Sequence, residues 1–376
     1  MIRQGAIALL GKADTPTDGV EEYCRHLGEA LRERGISLAI ERVLWAERGW
    51  RRALRSLRRR AKGWRGMWVL VQYTALAWSA RGFPLRFTRL LHILKRAGVR
   101  IGIVFHDVEP FTGARLIDRL RYGVQLHAMR HAMDVCEAAV FTVPMEKLTW
   151  MQPHYARAAF IPVGANLQVA GGAASRKTRA SDGKLNVAVF SVTGGKHLQR
   201  EVGEITEAVR FASSRVKKLK LTVFGRHSKD AEGELRSQLD GVPVEAQVLG
   251  LLSNEDVVRT MSNCDVLLFV RGPISTRRSS AIAGIACGLP VIAAEGPETS
   301  SLIKDAGVVF YSPQKKDDLG AALLHVLEDE HYRASLAQRS WMAQQRYFSW
   351  NMIAARYAEF LEKKPTSPIR KDFPVA

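Results

Sequence analysis

Short continuous apolar runs recur along this chain and alternate with stretches whose apolar residues fall three and four apart. Runs of that length read as strands buried on both faces, and the longer period reads as helix. GAIALLG (5–11) is the first strand. After a polar loop, Val20, Tyr23, Leu27 and Leu31 mark a helix from about Gly19 that ends at Arg34-Gly35, and SLAIERVLW forms the second strand. Strand, loop, helix, strand is the repeating unit of a doubly wound α/β domain. The alternation continues through the strands in WVLVQYTALAW, VRIGIVFHDVEPF and AAVFTV and the helices RFTRLLHILKRAG and RLIDRLRYGVQLHAMRHAMDVC. FIPVGANL closes this first half.

The segment 169–183 is small and polar and reads as a linker. A second series then begins with LNVAVFSV, a TGGK loop and the helix EVGEITEAVRFASS. LKLTVFG is a strand, EAQVLGLL is short and extended, and NEDVVRTMSNC is a helix. The stretch 264–301 that follows organises this half. It reads as the strand VLLFV, the turn RGPISTRRSS, a helix starting SSAIAGIA that Gly288 stops, and the strand VIAA. GVVFYS is a last strand, followed by two helices and a closing helix SWNMIAARYAEFLEK. The fold class is therefore α/β, with two doubly wound Rossmann-like domains. The boundaries expected are 1–168 for the N-terminal domain, 169–183 for the linker, 184–345 for the C-terminal domain, 346–364 for the closing helix and 365–376 for a disordered tail with three prolines.

Composition narrows the setting. A 376-residue chain with 47% apolar residues has material for two cores. Its four cysteines (Cys24, Cys136, Cys264, Cys287) lie far apart with no CxxC spacing, which argues for a reducing compartment and against a zinc site. The first apolar run is too short for a signal peptide, and no window reaches the length of a membrane span. A cytoplasmic protein follows as the expectation.

Charge changes this picture. The formal net charge is +19, and between Arg48 and His106 there are fifteen Lys/Arg and no Asp or Glu. Within this region RGWRRALRSLRRRAKGWRG is expected to be a helix with Trp50, Leu54, Leu57, Ala61 and Trp64 in one stripe and arginine over most of the rest. A solvated face usually mixes signs, whereas arginine and tryptophan together suit an anionic bilayer surface. Trp50, Arg51, Arg55, Arg58, Arg59 and Trp64 are the candidate membrane-docking residues. A plain solvated surface and a nucleic-acid partner are the other readings.

The candidate chemistry gathers at turns after strands. A helix N-terminus presents free N–H groups and a partial positive charge. At the turn before SSAIAGIA it is joined by Arg277, Arg278 and the hydroxyls of Ser275, Thr276, Ser279 and Ser280. That is a place for a diphosphate, with Ser279 or Ser280 as the helix cap. Lys196, after Gly194-Gly195, stands just past a strand where its ammonium could reach the same anion. His106 and Asp107 end another strand, and a histidine there can equally be a hydrogen-bonded strand end. Gly19 either lets its loop approach a ligand closely or simply starts a helix.

With these pieces in place, the chain resembles the retaining nucleotide-sugar glycosyltransferases of group 1 (family 4), which have the two-domain GT-B fold. In the second half the resemblance rests on LKLTVFG, VLGLLSNEDVVRTMSNCDVLLF, AIAGIACGLPVIAAEGPE, AGVVFYSPQKKDDLGAALLHVLED and FSWNMIAARYAEFL. In the first half DGVEEYCRHLGEALRERG, LVQYTALAWSARGFP, IVFHD and IPVGAN are similar, less specifically. The resemblance implies two domains facing each other across a cleft, with the closing helix crossing back to the N-terminal one. It implies that His106 positions the donor sugar with Asp107 orienting its ring, and that Gly19, Gly195, Lys196, Arg226, Arg277, Arg278, Ser279 and Ser280 serve the donor diphosphate. It also implies Ser275 and Glu298 at the sugar or nucleotide and Gln72 and Tyr73 at the acceptor.

The chain departs from the family at its paired glutamates, whose positions hold Ser275 and Ala283, and at the diphosphate arginine, whose position holds Ser191. Arg226, Arg277 or Arg278 could replace that charge. The function expected is transfer of a sugar from a nucleotide-diphosphate donor to a lipid-linked or glycan acceptor on the inner membrane face, with retention, in bacterial surface polysaccharide synthesis. No metal and no further cofactor are expected. A homologue that binds without turnover, a nucleic-acid-binding protein and a sugar-nucleotide epimerase remain as alternatives.

Overall fold

The computed structural model describes residues 4–151, 157–167 and 183–362. The expected linker, except Gly183, and the expected tail lie outside them. The chain divides into two compact units. Met1–Val140, Trp150–Ala159 and Ala354–Ala376 make one, and Phe141–Thr149 and Phe160–Ile353 make the other.

In unit 1 the elements run β1 (Gln4–Leu10), α1 (Gly19–Arg32), β2 (Ile36–Arg42), α2 (Trp45–Ala61), β3 (Trp68–Tyr73), α3 (Phe87–Ala97), β4 (Arg100–Phe105), α4 (Leu116–Val135), β5 (Ala138–Phe141) and β6 (Ala158–Phe160). The sheet order is β2-β1-β3-β4-β5-β6, with parallel pairing from β2 through β4. β3 is buried along its whole length, the burial that a continuous apolar strand predicts for a parallel sheet covered on both faces. α2 packs on α3 and α3 on α4, so the three helices form one layer.

Unit 2 continues with β7 (Leu185–Phe190), α5 (Leu198–Ser213), β8 (Leu219–Phe224), α6 (Ser228–Gln238), β9 (Val244–Gly250), α7 (Asn254–Ser262), β10 (Val266–Phe269), α8 (Ser279–Ala286), β11 (Val291–Ala294), α9 (Ser301–Asp305), β12 (Val308–Tyr311), α10 (Asp318–Glu328), α11 (Glu330–Ala343) and α12 (Trp350–Glu362). Its sheet, β12-β11-β10-β7-β8-β9, is parallel throughout. α6 had no sequence signal of its own. Among its residues only Ser228, Ala231 and Leu235 are buried, too sparse an apolar stripe to read.

Two details differ from the sequence expectation and have local causes. Phe141–Thr149 and 160–167 belong with unit 2 because its 270–278 loop bonds to both. Thr276 Oγ1 donates to the Thr142 carbonyl at 2.6 Å, and Val163 N–H donates to the Thr276 carbonyl at 3.1 Å. The basic helix bends at Gly49 (φ +72°), so its regular part begins at Trp50. The line it buries runs through Ala53, Leu57 and Ala61, with Trp50, Leu54 and Trp64 only half-buried beside it.

α12 is shared between the units. Its Trp350 indole donates to the Ala165 carbonyl at 2.7 Å, over a Gly164 with no room for a Cβ. Further along, the Tyr357 and Tyr23 hydroxyls bond at 2.9 Å and the Trp68 indole donates to the Leu361 carbonyl. Both tyrosines are fully buried, so burial pushes their hydroxyls far toward the neutral form. Tyr357→Phe should lower stability by about 1–3 kcal/mol by removing a buried partner, whereas Tyr23→Phe/Tyr357→Phe should cost less than the two single changes together. Urea unfolding of the four proteins measures that coupling.

Candidate active site

In an open parallel sheet, ligands bind outside the carboxyl ends of strands where the strand order reverses. In unit 2 that place lies between β7 and β10, and the loops leaving β7, β8 and β10 meet there. Ser191 takes a left-handed conformation (φ +67°) after β7, its N–H donates to the Phe224 carbonyl, and its Oγ accepts the Arg226 N–H at 3.1 Å. Gly225 sits so near that a Cβ would lie 2.5 Å from Ser191 Oγ, which binds the two loops together. On the other side Gly272 turns the chain (φ +78°) and Pro273 fills the space a Cβ on Gly296 would need.

These loops place arginines where carboxylates are scarce. Arg271 leaves β10 and reaches the Ser280 hydroxyl at 3.5 Å. Arg278 occupies the N-cap position of α8 and no side chain caps that helix. The Nε atoms of Arg271 and Arg278 are buried without a hydrogen-bond partner among the described residues, and neither guanidinium has an ion pair within 4 Å there. Burial pushes the Arg278 pKa down to about 10, with the neighbouring Arg277 and Arg271 adding repulsion and Glu298 and Glu201 opposing it. Burial also lowers Arg271, with Glu201 opposing and Arg226 adding to the shift. Glu201 is itself buried; it accepts the Thr193 N–H at 2.6 Å and lies 3.5 Å from Arg200. The cluster therefore holds more half-buried positive charge than its own carboxylates match. An anion with several acceptor oxygens would satisfy it.

The sequence-predicted residues fall into place unevenly around this cluster. Lys196 is exposed on the turn after β7, beside Gly195 in a left-handed conformation (φ +66°). Ser279 and Ser280 are the first two residues of α8, not its cap; Ser279 is exposed and Ser280 buried. Arg277 is a correction. Its guanidinium makes a two-pronged ion pair with Glu298, at 2.7 and 2.8 Å, so each charge is already matched by the other. Ser275 and Ala283 are both buried. Arg271 and Glu201 were missed. Arg271 directly follows a fully apolar strand, which is the available signal, and Glu201 lies on the same helix face as Ile205 and Ala208.

In unit 1, His106 and Asp107 follow β4. His106 Nε2 bonds Gln72 Oε1 at 2.8 Å and the ring stands edge-on to Tyr23. Asp107 Oδ2 accepts the Ala75 N–H at 2.7 Å. Three expectations need correcting here. Gln72 is buried, holding His106 and donating to the Leu70 carbonyl, and Tyr73 is enclosed between Phe87 and Phe105. Neither presents a surface to an acceptor. Gly19 stands at the start of α1, where Asp18 Oδ1 accepts the Val20 and Glu21 N–H groups at 3.1 Å each. A carboxylate thus takes the place where a diphosphate was expected. On α2, Arg51, Arg55, Arg58 and Arg59 are exposed, but Trp50 stacks on Trp45 at 5.1 Å and Trp64 lies against Arg60. Among the described residues, no group of three His, Cys, Asp or Glu side chains could hold a metal ion.

The loops of unit 2 fall inside a region with known relatives. Residues 181–341 match the family described as Glycosyl transferases group 1. This region is a group 1 glycosyltransferase domain. By that domain the protein is a glycosyltransferase. Anabaena Alr3699/HepE, solved in complex with UDP and glucose, shares its fold at a TM-score of 0.66 and 15% identity, covering 96% of this chain and 99% of that one. Sucrose-phosphate synthase from Thermosynechococcus elongatus matches at TM-score 0.65 and 16% identity, covering 96% and 98%. An E. coli structure described as trehalose-6-phosphate bound with UDP-2-fluoro glucose matches at 0.62 and 13%, covering 96% and 100%. These are two-domain GT-B folds. A search of curated proteins finds no match.

Because the charges of Arg271 and Arg278 are unmatched within the group 1 domain and that of Arg277 is not, the three should respond differently to substitution. Arg271→Gln and Arg278→Gln should each weaken pyrophosphate binding about tenfold or more without lowering the melting temperature of the free protein. Arg277→Gln should lower the melting temperature, by orphaning Glu298, and affect binding less. Calorimetric titration and thermal unfolding of the three variants measure both effects.

Proposed function

We propose that this glycosyltransferase transfers a sugar, with retention of anomeric configuration, from a nucleotide-diphosphate donor to a lipid-linked or glycan acceptor at an anionic membrane surface. The place suggested for the reaction is the synthesis of a bacterial surface polysaccharide. The observation that carries the donor assignment is the pair of half-buried arginines, Arg271 and Arg278, whose Nε atoms are buried without a partner among the described residues, at the switch point of a group 1 domain, with Lys196 on the adjoining turn. Departure of a nucleoside diphosphate develops negative charge, and preorganised cations in a dry pocket stabilise it. In this reading the arginines supply that charge and no metal ion takes part. Bound UDP-glucose in HepE supports uridine nucleotides as the first donors to try.

His106 is assigned the positioning of the donor sugar, held in its rotamer by Gln72. The acceptor assignment is supported by the exposed arginines of α2, which favour an anionic surface. The buried Ser275 and Ala283 favour one other outcome, a protein that binds the donor without turning it over.

Thermal shift with UDP-, GDP-, ADP- and dTDP-sugars tests the donor. At about a hundred times its dissociation constant the right nucleotide sugar should stabilise the protein by roughly 2.7 kcal/mol, and Arg278→Gln should abolish the shift. Turnover should persist in EDTA and fall about a hundredfold or more in His106→Ala, the loss expected for a group that orients the reacting sugar. Binding with no turnover on any lipid-linked acceptor would establish the non-catalytic alternative, and no shift with any nucleotide would remove the donor assignment.

A further inference from the structure

Ten large apolar side chains stand exposed among the described residues, and five of them lie on two adjoining segments of unit 1. Leu116 is 80% exposed, Leu120 60% and Ile117 47%, on the first turns of α4; Phe111 is 49% exposed just before it and Leu85 62% just before α3. The segments form one surface. Arg121 Nε donates to the Arg81 carbonyl and its guanidinium lies over the rings of both Phe83 and Phe111. Gln125 donates to the Gly82 carbonyl and accepts the Phe111 N–H.

The tip is built rather than frayed. The buried Asp118 accepts the Arg115 N–H and pairs with Arg121. Gly113 lies against Asp118 so closely that a Cβ there would collide with it. An ordered first turn that keeps leucine and isoleucine in water has no folding advantage to explain it. Around the tip Arg81, Arg86, Arg115 and Arg119 are exposed, and behind it the α2–α3–α4 layer carries the long run of positive charge with few acids.

We propose that this tip inserts into the acyl–headgroup boundary of an anionic bilayer, and that α2 is the electrostatic face behind it and not the inserting element. The inference rests on the membrane-acceptor reading. Aliphatic side chains gain free energy from a hydrocarbon boundary, whereas a nucleic acid would call for aromatic or polar contacts. The surrounding arginines fit anionic headgroups. α2 itself offers charge with little apolar surface, because Trp50 and Trp64 are engaged within the protein.

The test is flotation of the full chain with vesicles of phosphatidylcholine alone or with about a third phosphatidylglycerol, at low and high salt. Leu116→Ser/Ile117→Ser/Leu120→Ser should leave the melting temperature unchanged and cut binding to anionic vesicles about tenfold or more, from the lost partitioning of three side chains. It should abolish the binding that survives high salt. Arg51→Gln/Arg55→Gln/Arg58→Gln/Arg59→Gln should weaken binding at low salt and spare the salt-resistant part. Serine variants that float like the wild type overturn the tip but leave the membrane-acceptor reading standing. A wild type that floats with neither vesicle overturns both, whereas serine substitutions that abolish only self-association or nucleic-acid binding overturn the tip alone.

Discussion

Two half-buried arginines, each with its Nε shut away from water and no carboxylate of its own, are the constraint on which unit 2 depends. Burying a cation is costly, and a chain tolerates it only where the surroundings hold the group in place and some partner completes it. The surroundings here are backbone. Gly225 presses against Ser191, Gly272 turns the chain after β10, and Pro273 fills the space beside Gly296. Arg277 and Glu298 neutralise one another and so fix the loop without adding to the unmatched charge. Glu201 is anchored on the Thr193 amide, close enough to temper Arg271 and Arg278 but committed elsewhere. A partner that completed the cluster would have to be anionic with several acceptors.

Unit 1 distributes charge in another way. At the ends of β3 and β4 the two candidate site residues are matched internally: His106 with Gln72, and Asp107 with the Ala75 amide. Its unmatched charge lies outside, on the α2–α3–α4 layer, where solvent and salt can screen it. A buried cluster and a surface field of the same sign therefore serve different ends. The first is arranged to suit a small anion by geometry, and the second would suit only an extended anionic surface. The net charge of the chain describes neither by itself.

How far the sequence could be read follows from the same physics. The strands of both sheets were legible because burial on both faces leaves a continuous apolar run, as in VLLFV and WVLVQY. α6 was not, because it buries so little. The turn after β10 reads as a candidate anion site from Arg278 and its hydroxyls, but which arginine would be matched could not be read. Arg277 and Arg278 are neighbours, and only the fold decides that one faces Glu298. Gln72 and Tyr73 look like accessible polar residues after an apolar strand, yet both point into the core, where Gln72 serves His106. Trp50 and Trp64 suggested an inserting helix by composition, whereas exposed Leu116, Ile117 and Leu120 sit in a stretch whose periodicity reads as an ordinary helix start.

The contrast between α1 and α8 shows why a helix start alone is a poor guide to ligand position. Both follow a strand of a parallel sheet, and both carry the partial positive charge of an N-terminus. α1 consumes its own: Asp18 accepts two of its first N–H groups, Arg42 pairs with Asp18, and Glu21 and Glu22 lie in the same turn. An incoming phosphate would meet carboxylates. α8 has no acidic residue in its first turn, no capping side chain, and an arginine at the cap position. Dipole and side-chain charge add there, while in α1 they cancel. The same backbone feature is thus a finished structural cap in one half of the protein and an uncapped, positively charged helix start in the other, and what separates them is the sign of the nearest two side chains.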